Sequence, residues 1–166
     1  MKDKLQNAAQ QWELLDETGH VPATPSYPAL LRHAIDAQDL SRDVLQLTAD
    51  FTQSPHHTTR AGDTVLKHLA TAATMSSHAV THFTETAECA LTLPRSAHPT
   101  DRNHLTNRMV IDHASARAFL RRTSESLRDA AKELDDHVGF QRFLAPLTRQ
   151  KGSPAPPPPR PGGRHR

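Results

Sequence analysis

The sequence predicts an all-α protein, an up-and-down antiparallel four-helix bundle whose helices have unequal lengths. Four segments repeat their apolar residues with helical spacing, and no segment shows the sustained alternation of a β-strand. Short connections separate these segments, which favours antiparallel packing of neighbouring helices. Only 36% of the 166 residues are apolar and 4% are aromatic. We therefore expect a single domain with a thin core and closely spaced helices.

The first two helices are predicted over residues 2–18 and 27–53. Gly19 is placed to end the first helix. The prolines of the connector "HVPATPSYP" then prevent the helix from continuing. Ser26 is placed to cap the second helix, with Pro28 in its first turn.

The last two helices are predicted over residues 59–92 and 100–138. Pro94 follows the end of the third helix, Thr100 can cap the fourth, and Gly139 is placed to close it. Both are much longer than the first helix, which cannot cover them along their whole length.

Part of the apolar surface of the two long helices is therefore left uncovered, which leads to two alternatives. Either the third helix breaks near Ser76 and Ser77, or this surface packs against another chain. We expect the second outcome, a homodimer, because apolar residues extend beyond one stripe on both long helices: Leu66, Ala70, Leu91, Val110, Ile111 and Ala114.

The C-terminal segment differs in composition from the rest of the chain. Six of the thirteen prolines lie in residues 154–161, and residues 149–166 hold five basic residues and no acid. We predict a helical domain over residues 1–148 and a disordered basic tail over residues 149–166. The domain itself carries more acidic than basic residues, so any attraction for polyanions is expected in the tail.

Composition also argues against several classes of protein. A single cysteine, Cys89, excludes an internal disulfide framework and fits a reducing compartment. Glu85 and Glu88 lie close to Cys89 in sequence, which argues against a nucleophilic thiolate. No glycine-rich phosphate loop and no long apolar segment is present. We expect a cytoplasmic protein, without membrane contact, that is not an enzyme. Its amino-acid usage, rich in Arg, Ala, His and Pro, is typical of a high-GC bacterium.

Four histidines are the candidate site residues. His78 and His82 are spaced four apart, as two imidazoles that share a metal ion on one helix would be. They lie about 155° and 115° from the centre of the apolar stripe, so we expect a solvated face. His33 and His113 lie within apolar stripes and are expected in the core with polar partners. The alternative is a divalent metal held by His33, His113 and either His78 or His82.

A helical histidine followed by His-x-x-x-His on a four-helix bundle resembles the metal-binding triad of DinB/YfiT-like proteins. The matching positions are His33, His78 and His82. The resemblance implies a metal-binding bundle protein or a metal-dependent enzyme.

A basic ridge is predicted on the fourth helix. Arg117, Arg121, Arg128 and Lys132 lie within about 60° of one another. Glu125 lies four residues after Arg121, so we expect a solvated face with internal ion pairs. The alternative is contact with nucleic acid through Arg117, Arg121 and Arg128, together with the tail residues Arg160, Arg164 and Arg166.

These patterns favour a non-enzymatic interaction protein without a cofactor, which self-associates or binds a partner helix. The first alternative is a metal-binding bundle protein or enzyme of DinB/YfiT-like type that uses core histidines. The second is a nucleic-acid accessory protein that binds through its basic tail.

Overall fold

The computed structural model describes residues 14–15, 20–22 and 25–150, with side chains described up to residue 142. These residues form three α-helices: α1 (Tyr27–Thr52), α2 (Arg60–Thr92) and α3 (Pro99–Gln150). A 3₁₀ turn, Leu93–Arg95, connects α2 to the loop before α3. The described part of the chain contains no β-strand, so the all-α prediction is confirmed.

A four-helix bundle is not what these residues show. The first predicted helix, residues 2–18, lies outside the described residues except for Leu14, which has no regular structure, and Leu15, which is a bend. The predicted disordered tail also lies outside them from residue 151 onward. Helices α1 and α2 match the second and third predicted segments to within one residue at each end.

Local signals explain where α1 and α2 begin and end. Pro28 lies in the first turn of α1, where its missing N–H is not needed. Thr59 caps α2, since its Oγ1 accepts a hydrogen bond of 2.9 Å from the backbone N–H of Gly62. A side chain at Gly62 would collide with the backbone of His56, so only glycine fits this close approach. The helix ends at Thr92, two residues before Pro94.

The helices pack antiparallel in succession around a core of small residues. In the middle, α1, α2 and α3 all contribute to one apolar cluster: Ala34, Ala37, Leu40, Ala79, Phe83, Ala116 and Leu120. Toward one end, the start of α1 meets the end of α2 and the start of α3, with Leu30, Ala90 and Met109 in one cluster. Toward the other end, Val65 and Leu69 of α2 pack with Ala130 of α3. Alanines at these positions permit the close approach that the composition predicted.

Helix α2 is continuous, so the alternative of a break near Ser76 is wrong. Ser76 is fully buried, and its Oγ donates to the carbonyl oxygen of Ala73 at 2.9 Å. Its hydroxyl also contacts that of Ser41 on α1 at 3.3 Å. The serine therefore satisfies its hydroxyl within the helix and across the α1–α2 contact, and the backbone hydrogen bonds are kept.

Helix α3 passes the predicted end at Gly139 and continues to Gln150. The space around Gly139 is open, and glycine costs an exposed helix interior only about 1 kcal/mol relative to alanine. The chain divides into two compact units, residues 1–134 and 135–166. The predicted boundary at residue 148 stays a prediction.

Candidate metal centre

Four polar side chains meet where α2 packs against α3 in the first unit. His82 and Glu85 are three residues apart on α2, and Arg108 and Asp112 are four apart on α3, so each pair lies on one helix face. We call His82, Glu85, Arg108 and Asp112 the α2–α3 polar cluster. The antiparallel packing brings the two pairs together, although His82 and Asp112 are 30 residues apart in sequence.

The imidazole of His82 lies at the centre of the cluster. Its Nδ1 is 3.1 Å from Oδ1 of Asp112 and 3.5 Å from Oε2 of Glu85. One ligand-type atom from each of these three residues lies within 4.8 Å of the other two. The arrangement is therefore compact enough for one cation to contact all three residues after small side-chain movements.

Burial differs among the three convergent side chains. Asp112 exposes 9% of its side chain, whereas His82 exposes 27% and Glu85 33%. A buried carboxylate is costly unless positive charge lies nearby, so Asp112 is the group that most requires a cation. The partial exposure of His82 and Glu85 leaves a path from solvent.

The ring of Phe119 orients His82. The two rings are stacked, with centroids 5.5 Å apart and planes 11° apart. His78 stacks on the same ring at 5.1 Å but is exposed. The prediction of a solvated face is therefore wrong for His82, because α3 covers this side of α2 and brings Asp112 and Phe119 against it.

Arg108, whose side chain is 57% exposed, contacts both carboxylates. Its Nη2 is 3.7 Å from Oε1 of Glu85, and its Nε is 3.4 Å from Oδ2 of Asp112. The pKa of the Arg108 guanidinium is raised by Cys89, Asp112 and Glu85, in that order. The guanidinium therefore stays positively charged. Since both distances exceed the roughly 2.7–2.9 Å of a strong charge-assisted hydrogen bond, these ion pairs are loose.

Cys89 lies one turn beyond Glu85 and is buried, with 4% of its surface exposed. This part of the helix packs into the core, where Cys89 belongs to the same apolar cluster as Ala90 and Met109. Burial raises the pKa of the thiol more than the nearby Arg108 lowers it. The thiol therefore stays protonated near neutral pH and acts as a small apolar side chain.

The core histidines form a separate aromatic group. His113 is 4% exposed, and its ring centroid lies 6.1 Å from that of His33 and 5.5 Å from that of Phe83. Burial, and then the nearby His33 and Arg117, lower the pKa of His113 to about 4. Burial also lowers the pKa of His33, an effect that Asp36 partly opposes. Both imidazoles are therefore neutral at pH 7.

The structure thus divides the four predicted metal ligands. It brings the half-buried His33 against the buried His113, leaves His78 exposed, and places His82 with Glu85 and Asp112. The two carboxylates were absent from the predicted ligand set. Their signals in the sequence are the i,i+3 spacing from His82 to Glu85 and the position of Asp112 beside the core residue His113.

The predicted nucleic-acid contacts are placed only in part. Arg117, Arg121 and Arg128 are exposed on α3. Within the described residues no ion pair joins Arg121 to Glu125, so the expected internal pairing of the ridge is wrong at that position. Arg160, Arg164 and Arg166 lie outside the described residues.

The donor set of the cluster suits a first-row divalent metal. Imidazole nitrogen is a common ligand for zinc, iron and nickel, while carboxylate oxygen also suits manganese. Three protein ligands leave coordination positions for water or another molecule, as in catalytic rather than structural zinc sites.

Searches against protein-family models, curated proteins and solved structures found no match to this chain. Among the helices of the described region, none combines the length and apolarity needed to cross a membrane. The α2–α3 polar cluster is therefore interpreted from its own geometry.

Proposed function

We propose that this chain is a helical metal-binding protein that holds a divalent first-row transition ion between His82, Glu85 and Asp112. The convergence of three ligand-type atoms within 4.8 Å, one of them from a buried carboxylate, supports the proposal. The proposed ligands are one imidazole and two carboxylates from two helices. They differ from the core histidines that the sequence suggested as metal ligands.

Charge and geometry both favour a divalent cation between His82, Glu85 and Asp112. Two carboxylates at this distance repel each other, and a divalent cation between them removes that repulsion. Nδ1 of His82 faces both carboxylates, so its lone pair is directed to the same point when the nitrogen is unprotonated. A bound ion joins α2 to α3 and therefore stabilises the folded state.

Thermal unfolding with and without added Zn²⁺ or Mn²⁺ tests the proposal, using protein without a histidine tag. At a metal concentration of about 100 Kd the stabilisation is about 2.7 kcal/mol, which raises Tm by roughly 5–10 °C for a chain of this size. His82→Gln and Asp112→Asn should each abolish the increase.

His78→Gln is the matched control. His78 lies on the same helix and stacks on the same ring, Phe119, but the convergent ligand group does not include it. This variant should keep the full increase in Tm. An unchanged increase in His82→Gln would contradict the proposal, and so would its loss in His113→Leu, which would transfer the metal to the core histidines.

A second candidate function is self-association, the role that the sequence favoured. Ile35 and Leu45 on α1 are 53% and 54% exposed, and Ile111 on α3 is 64% exposed. Isolated exposed apolar residues are ordinary, but three large ones on two helices suit an interface between copies. Light scattering at high micromolar concentration should give a dimer, and Ile111→Glu should give a monomer. A monomer in the unmodified protein would contradict this function.

A further inference from the structure

The contacts of Arg108 point to a role that deepens the proposed metal site. Each of the two carboxylates has one oxygen toward His82 and the other toward Arg108. Oδ1 of Asp112 and Oε2 of Glu85 face the imidazole, while Oδ2 and Oε1 face the guanidinium. The imidazole and the guanidinium therefore contact different oxygens of the same two acids.

We propose that Arg108 is a positioning residue for the metal: it bridges Glu85 and Asp112 through Oε1 and Oδ2 and keeps the other two oxygens, Oε2 and Oδ1, directed toward Nδ1 of His82. The inference rests on the proposed metal function. It assigns to Arg108 the outer-shell role that partners of metal-binding carboxylates have in general.

The metal and Arg108 can be bound at the same time because they use different carboxylate oxygens. A cation bound between Nδ1 of His82, Oδ1 of Asp112 and Oε2 of Glu85 leaves Oδ2 and Oε1 to the guanidinium. Among the described residues, the remaining ion-pair contact of Glu85 without Arg108 is the 3.5 Å contact with His82, and the two carboxylates repel each other. The ion would then have to order ligands that Arg108 otherwise holds in place, and this cost weakens its binding.

The positive charge of Arg108 weakens metal binding, whereas its positioning of the carboxylates strengthens it. The balance of the two sets how much the affinity changes when Arg108 is replaced. A guanidinium near a divalent ion repels it, although the 57% exposure of this side chain weakens the repulsion through solvent. Loss of an outer-shell partner reduces metal affinity by about 10–100-fold in general. Because the two contacts are loose and the repulsion is relieved at the same time, we expect a reduction near the lower limit, about 10-fold.

Titration calorimetry with Zn²⁺ on the full chain and its Arg108→Gln variant tests the assignment. The variant should bind about 10-fold more weakly than the unmodified protein. Arg121→Gln is the matched charge control: it removes the same charge from the same helix, at a side chain without an ion pair to the cluster. It should leave the Kd unchanged. Arg108→Lys should recover only part of the affinity, because one ammonium cannot bridge two carboxylates as the planar guanidinium does.

The visible absorption of the Co²⁺-loaded protein supplies a second readout that a purely structural role would leave unchanged. Reorientation of the carboxylates in Arg108→Gln should change the position and intensity of the metal bands at saturating Co²⁺. His78→Gln should leave the bands as they are.

The possible outcomes separate the two proposals. If the unmodified protein binds no metal, the proposed function fails, and the inference fails with it. If it binds metal through His82 but Arg108→Gln has the same Kd and the same Co²⁺ spectrum, only the positioning role is wrong. If Arg108→Gln binds more tightly, Arg108 competes with the metal for the carboxylates, and the assignment is reversed.

Discussion

Lowering the pH from 7.5 to 5 is expected to destabilise the protein through His113. The imidazole is buried between His33 and Phe83, and its Nε2 has no hydrogen-bond partner among the described residues. Burial, together with His33 and Arg117, lowers its pKa from 6.5 to about 4. Protonation is therefore easier in the unfolded chain than in the folded one.

The sign and size of the effect follow from linkage. The contribution of His113 is complete above pH 6.5, and it decreases as the pH falls from 6.5 to about 4, because the unfolded state binds the proton first. One pKa unit corresponds to about 1.4 kcal/mol, so the full loss is about 3 kcal/mol. At pH 5 the expected loss is about 2 kcal/mol. The lowered pKa of His33 acts in the same direction.

Urea denaturation followed by circular dichroism, with a chelator present, measures this loss. His113→Leu keeps a side chain of similar volume and removes the titrating group. The unmodified protein should therefore lose about 2 kcal/mol more than the variant between pH 7.5 and pH 5. Equal losses in the two proteins would show that the pH dependence arises from groups other than His113.

Two glycines in helices should respond in opposite directions to replacement by alanine. Gly62→Ala should destabilise the protein by about 1–3 kcal/mol in urea denaturation, because the new Cβ would collide with the backbone of His56. Gly139→Ala should stabilise the surrounding helix by up to about 1 kcal/mol, since open space surrounds this position. Slower hydrogen exchange of the amides near residue 139 would show the gain; a loss of protection there would contradict it.

Local sequence signals were sufficient for the positions of α1 and α2. Pro28 and Pro94 set boundaries because a proline removes a backbone donor and restricts the residue before it. Thr59 caps α2 in the structure, although no cap was predicted at that residue. The end of α3 was predicted poorly at Gly139, because glycine only weakens a helix and flanking residues with good helical propensity can continue it.

The candidate site could be predicted only in part, because it depends on which faces of α2 are covered. The periodicity located one apolar stripe on this helix. Because α2 packs against both α1 and α3, its buried surface is wider than that stripe. Cys89 and His82 lie within the additional surface. The contact of His82 with Asp112 spans 30 residues and depends on the relative rotation of two helices, which no local pattern specifies.

Anomalous diffraction from crystals grown with Zn²⁺, recorded on both sides of the zinc absorption edge, tests the central claim most directly. We expect a peak between Nδ1 of His82 and the carboxylates of Glu85 and Asp112, with ligand distances of about 2.0–2.2 Å. A peak on His78, or one between His33 and His113, would contradict the assignment of the metal to the α2–α3 polar cluster. A fully zinc-free cluster at millimolar Zn²⁺ would contradict metal binding there altogether.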